Sequence, residues 1–184
     1  MRHRTLIVFL LLTIFLFGIT AQEKELVVDR YPNALGVQLV TDYGDIILGG
    51  LSYQRWMGKI GTQILGGALI NNDGSFWYTV LGSLQYRLFS SDFADWYSGS
   101  LYLNGAIGHS ADYNTDQGDG PATEISTLKP KIHTGFGVGI ENVFLGHLSY
   151  SLEFMYLATY NLSPSVINPL TLGFAFGTSL RYRY

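Results

Sequence analysis

The sequence predicts an all-β fold: eight antiparallel strands running up and down in a closed transmembrane barrel. Three observations predict it. After residue 21, apolar residues alternate with small or polar ones at period two, the pattern of strands with two unlike faces. Only 14% of the 184 residues are charged and 22 are glycine, against roughly 25% charged and about 7% glycine in soluble domains. The apolar faces carry almost no charge at mid-strand, where a lipid-facing Arg or Lys would cost roughly 2–4 kcal/mol.

Composition also excludes classes. The chain has no cysteine, so it can hold no disulfide scaffold, thiolate metal site or Cys nucleophile. A net charge of -3 offers no basic footprint for nucleic acid.

Taken from the N-terminus, the first element is an address. Arg2, His3 and Arg4 precede the apolar run Leu6 to Phe17, and Gly18 to Ala21 follow. A basic start, a short apolar core and a small residue before polar sequence mark a secretory signal peptide. The run is shorter than the roughly 20 residues a membrane helix needs. Cleavage after Ala21 leaves residues 22–184 as one barrel domain, and no later stretch reads as a membrane helix.

The strands follow in order. Leu35 to Thr41, Ile46 to Gln54 and Lys59 to Ile70 are the first three, the last with mixed faces. In the fourth, Phe76, Tyr78, Val80, Leu84, Tyr86 and Leu88 alternate with Trp77, Thr79, Ser83, Gln85 and Arg87. The fifth is Trp96 to His109. In the sixth, Ile132, Phe136, Val138 and Ile140 alternate with His133, Gly135, Gly137, Gly139 and Glu141. In the seventh, Leu148, Tyr150, Leu152, Phe154 and Tyr156 alternate with His147, Ser149, Ser151, Glu153 and Met155. In the eighth, Leu170, Leu172, Phe174, Phe176, Leu180, Tyr182 and Tyr184 alternate with Thr171, Gly173, Ala175, Gly177, Ser179, Arg181 and Arg183. Most approach the roughly 9–11 residues of a tilted membrane strand.

The polar faces hold Gly, Ser, Thr and isolated charges, which suits a lumen better than a soluble surface. Tyrosines gather toward strand ends (Tyr53, Tyr86, Tyr97, Tyr156, Tyr182, Tyr184), as interfacial girdles do. With a periplasmic N-terminus, even connections are short: Trp56 to Gly58, Ser90 to Asp95, Asn142 to Gly146. Odd connections face outward. Asp42 to Asp45 and Asn71 to Ser75 are turn-forming. Asn161 to Pro169 is longer, and Ser110 to Lys131 is the longest.

The C-terminus resembles the assembly signal of bacterial outer-membrane barrels, with Gly177, Leu180, Tyr182 and Tyr184 at the matching positions. Phe176 stands where that pattern has a polar residue. The mature chain resembles the small eight-stranded class that includes the OmpA membrane domain, OmpX and OmpW. The resemblance implies a bacterial outer-membrane location, surrounding outer-membrane lipid, and insertion by the barrel-assembly machinery with periplasmic chaperones.

Eight strands enclose a lumen just wide enough for side chains to fill. Lumen candidates are Gln54, Lys59, Gln63, Gln85, Arg87, Asn104, His133, Glu141, His147, Glu153 and Arg181. A polar network is expected among Arg87, Glu141, His147, Glu153 and Arg181, because an unpaired buried charge is expensive. Approximate registers put Glu141 near His147 and Ser149 near Arg181. Gly135 to Gly139 precede no helix and are no dinucleotide fingerprint. Asp112, Asp116, Asp119 and Glu124, beside Gly118 and Gly120, lack calcium-loop spacing and read as a solvated acidic loop.

The expectation is a non-enzymatic outer-membrane barrel without metal or cofactor. Its role would be structural, in surface interaction or in narrow solute passage. Two alternatives stand beside it. The His147-x-Ser149 spacing resembles the motif of lipid A 3-O-deacylases related to PagL, which would make the pair catalytic. A soluble secreted ligand-binding barrel is the other.

Overall fold

The computed structural model describes residues 30–42, 46–70, 75–116, 125–163 and 168–184. The signal-peptide assignment lies outside these residues. So do the turns at 43–45 and 71–74, and Gly118, Asp119, Gly120 and Glu124 of the acidic loop.

The eight strands are β1 (Asn33–Asp42), β2 (Ile46–Met57), β3 (Ile60–Ile70), β4 (Phe76–Ala94), β5 (Tyr97–Asp116), β6 (Ile125–Phe144), β7 (Leu148–Asn161) and β8 (Leu170–Arg183). Each pairs antiparallel with its chain neighbours, and β8 pairs with β1 to close the barrel. Closure removes the exposed edges that an open sheet would present. Both termini of the barrel meet at one end, where the Tyr184 N–H donates to the Asn33 carbonyl at 2.9 Å.

That end also carries three tight turns. At Gly58–Lys59, Gly58 has φ 62°, the left-handed conformation a two-residue hairpin loop needs at its first central position. Asp95–Trp96 links β4 to β5, and Leu145–His147 links β6 to β7. Leu145 takes φ 51° and Gly146 φ 76°. This is the turn end; the opposite end is the loop end.

Side-chain alternation sets the two faces. On β4, Thr79, Leu81, Ser83, Gln85 and Arg87 are buried while Val80, Leu84, Tyr86 and Leu88 are exposed. The same division runs through β7 and β8. The apolar faces therefore point outward and the mixed faces fill the lumen. A soluble ligand-binding barrel needs the reverse.

The structure corrects two boundaries. The expected long loop Ser110 to Lys131 is mostly strand, because β5 and β6 stay paired out to Asp116↔Ile125. Ladder hydrogen bonds need no continuous apolar face, and here Ala111, Tyr113, Leu128 and Pro130 are too sparse among Asp, Asn, Ser, Thr and Lys for a pattern search to mark the strands. The expected connection Ser90 to Asp95 is likewise β4 up to Ala94. Register shifts between Arg87 and Phe89 and between Asp92 and Ala94 break the alternation there.

Candidate functional site: the filled lumen

The lumen is layered from the turn end to the loop end. The first layer is charged. Arg183 donates to Glu141 Oε1 at 2.6 Å, and both side chains are 0% exposed. Trp56 Nε1 donates to Glu141 Oε2 at 3.1 Å. Arg183 also donates to Gln54 Oε1 at 3.0 Å and to the Tyr31 carbonyl at 3.1 Å. Arg87 lies over the Trp56 ring at 4.3 Å, a cation–π contact strengthened by burial.

The second layer is built from amides. Arg181 donates to Ser52 and Ser151, and through one nitrogen to Gln38 Oε1 and Gln63 Oε1. Glu153 accepts from Tyr102 at 2.7 Å, Gln38 and Asn104 at 3.2 Å, and Gln85 at 3.3 Å. Gln38 thus bridges the two charges: its oxygen takes Arg181 and its nitrogen gives to Glu153. The amides of Gln54, Gln85, Gln63 and Gln38 form a chain of hydrogen bonds across β2, β4, β3 and β1. Glycine makes room at two points. A Cβ on Gly139 would strike the Tyr102 ring, and one on Gly177 would come within 3.1 Å of Glu153 Oε2.

The third layer is apolar: Val40, Leu48, Leu65, Leu81, Met155 and Leu157 pack together with two alanines. Above it, Ser110 Oγ lies 2.8 Å from His133 Nε2, and His133 Nδ1 lies 3.0 Å from Thr159 Oγ1. At the rim, Lys131 donates to Asp112 at 2.9 Å. Asp112 is therefore an ion-pair partner on a strand rather than part of a loop.

Of the residues expected in the lumen, Gln54, Gln63, Gln85, Arg87, Asn104, His133, Glu141, Glu153 and Arg181 are buried there. Two are not. Lys59 is an exposed turn residue. His147 sits in the β6–β7 turn, stacked on Tyr182 at 5.3 Å, with Nδ1 2.9 Å from the Arg183 carbonyl. β7 begins only at Leu148, so the alternation does not reach His147.

Ser149 does pair with Arg181. Glu141 pairs with Ser151 instead of lying near His147. The three-residue turn sets Phe144 opposite Leu148 and fixes every pair beyond it. Ser149 is buried on the lumen side while His147 packs on outward-facing Tyr182, and among the described residues no hydrogen bond joins them. Among the described residues, no three His, Asp or Glu side chains converge as a metal site.

Sequence reasoning missed Arg183, Trp56, Tyr102, Gln38 and Ser52. Arg183 shares the parity of Arg181, and that signal was present. Trp56 and Tyr102 are large aromatics, which pattern alone assigns to lipid. The C-terminal residues Leu180, Tyr182 and Tyr184 face outward, and Gly177 faces the lumen.

No family model and no curated protein matches the chain. Solved structures do. The N-terminal β-barrel domain of Pseudomonas aeruginosa OprF aligns over 84% of this chain and 98% of that one, with 10% identity and a TM-score of 0.54. Neisserial surface protein A covers 82% and 94% at 9% identity and a TM-score of 0.43. Ail of Yersinia pestis, in complex with a heparin analogue, covers 83% and 97% at 11% identity and a TM-score of 0.41. At these identities the likeness is one of fold. The fold is that of the small eight-stranded outer-membrane β-barrels.

Proposed function

We propose that this chain is an integral barrel of the bacterial outer membrane, non-enzymatic, with a lumen closed to bulk diffusion. One observation carries the reading: an outward apolar belt surrounds a polar, hydrogen-bonded interior. Phe136 is 69% exposed and Leu51 68%, with Leu84 and Leu152 also bare on other strands. Monomeric soluble proteins rarely expose contiguous apolar patches beyond a few hundred Å². Lipid removes that penalty.

Aromatics support the same placement. At the turn end, Phe93 and Phe144 each stack on Tyr97, at 5.4 and 5.2 Å. Near the loop end Tyr78 stacks on His109, and Phe76 is tilted against Tyr78. Two such bands suit the two interfaces. The turn end would face the periplasm and the loop end the exterior.

The amide layer and the apolar layer favour a structural or surface-presenting role over solute passage. The outward Leu180, Tyr182 and Tyr184 would be read by the barrel-assembly machinery after chaperoned passage through the periplasm. The experiment is fractionation with heat-modifiable gel migration, followed by conductance in planar bilayers. Membrane-bound protein that shifts on boiling and gives no steady conductance supports the proposal. Soluble protein without a shift sinks it, and a steady large conductance would overturn the closed lumen.

A further inference from the structure

The barrel wall changes character between β2 and β3. Their ladder runs only from Met57↔Ile60 to Leu51↔Gly66. Beyond it, β2 remains paired with β1 through Val40↔Leu48, and β3 with β4 through Leu69↔Trp77. Gly49, Gly50, Gly66 and Gly67 stand at the break. A Cβ on Gly50 would strike the Gly66 carbonyl, and one on Gly67 the Gly49 carbonyl. The same close approach recurs at Gly36 and Gly137 inside unbroken ladders, where only glycine permits it; the break itself is marked by the end of the β2–β3 ladder at Leu51↔Gly66.

A cavity of about 790 Å³ opens at this crossing. Leu39 and Leu51 line it from outward-facing positions; Trp77 and Asp112 line it from positions on the inward parity of β4 and β5. An intact sheet separates its two faces. One cavity can touch both here because β2 and β3 part beyond Leu51↔Gly66 toward the loop end and leave a notch in the wall. Its polar end is Asp112, which is ion-paired with Lys131 just beyond the lining, both side chains being about one-third exposed (30% and 31%).

We infer that this cavity is a lateral binding site for one hydrocarbon chain of a membrane amphiphile, with its polar head at Asp112 and Lys131. The inference rests on the outer-membrane reading above. Continuity identifies the occupant: Leu39 and Leu51 belong to the lipid-facing belt, so the outer opening lies on a surface already covered by acyl chains. The volume falls within the roughly 300–1,000 Å³ of small-molecule sites. The lining is mainly apolar with one charged residue, Asp112, a composition such sites share. Four glycines leave the passage without side chains, and at Gly66 an added Cβ would meet nothing within 4 Å.

Tryptophan quenching tests this in vesicles of phosphatidylcholine brominated on one acyl chain. The chain has three tryptophans. Trp96→Phe leaves Trp77 at the cavity and Trp56 buried in the lumen, 2% exposed. Brominated lipid should then remove the larger part of the Trp77 emission and spare Trp56. Gly66→Leu, which fills the cavity, should abolish that quenching. Gly82→Leu should leave it intact, since a Cβ there approaches only the Ile107 carbonyl, at 3.9 Å. Asp112→Asn with Lys131→Gln should reduce lipid retained in native mass spectra.

Phe136→Trp, far from the cavity on the belt, separates the two readings. If it is quenched while Trp77 is not, the lateral site is wrong and the membrane placement stands. If neither is quenched, both fail. Unquenched Trp77 in a dimeric species would assign the cavity to a second copy and overturn the proposal, as would filling by the chain's own connecting segments.

Discussion

At Glu141 a carboxylate is held out of water by one guanidinium and one indole. Arg183 and Trp56 supply them, at 2.6 and 3.1 Å. Removing one partner from a buried pair costs about 3–5 kcal/mol, because the remaining charge is left uncompensated. Arg183→Met should therefore destabilise the barrel by that order, and Arg183→Met with Glu141→Gln by clearly less. Urea unfolding in lipid vesicles measures both; equal losses would show that the charge pair is not what holds the layer. Glu153 is different. Among the described residues no Arg or Lys nitrogen is bonded to it, and four neutral donors hold it instead. The alternation of β7 made its burial legible in the sequence. Its partners were not, since they come from β1, β4 and β5.

Among the elements, the turns and the outer faces lend themselves to test. Leu145 occupies the left-handed region at φ 51°, which costs a non-glycine residue roughly 1–2 kcal/mol and which Asn tolerates better. Leu145→Asn should raise the urea midpoint modestly, by about 0.5–1 kcal/mol of stability. A fall instead would mean that its exposed side chain gains more from the interface than the backbone loses. On the outer face of β6, Phe136→Arg should cost roughly 2–4 kcal/mol in vesicles if it sits near mid-depth. A neutral result would argue that water, not lipid, meets that face. Strand identity was readable wherever two faces differ, as on β4, β7 and β8. It faded where bulges reset the alternation beyond Arg87. It also faded in the β5–β6 extension, where Ala111, Tyr113, Leu128 and Pro130 are diluted by turn-forming and charged residues.

For the molecule as a whole, burial is largely inverted relative to a soluble protein: buried glutamines, arginines and glutamates outnumber the few lumen leucines, and most leucines, phenylalanines and tyrosines lie outside. Conductance is the measurement that belongs to this scale. The wild-type barrel should pass no steady current. Thinning the apolar layer with Leu65→Ala and Leu81→Ala should raise leakage without changing heat-modifiable migration, because the ladders that close the barrel are untouched. Unchanged leakage would place the barrier in the amide layer. Strand number, the up-and-down order and the direction each face takes were determined by the sequence itself, because period-two alternation and the rarity of charge are local properties that lipid and lumen read directly. Tertiary structure alone decided which charges meet and where the wall opens. Glu141 finds Arg183 because the three-residue turn Leu145–His147 sets the β6–β7 register and β8 pairs with β7 as far as Leu148↔Tyr182. The wall parts between β2 and β3 because their ladder ends at Leu51↔Gly66 while each strand stays paired with its other neighbour. Both depend on register and closure, which relate residues through space and leave no periodic trace along the chain.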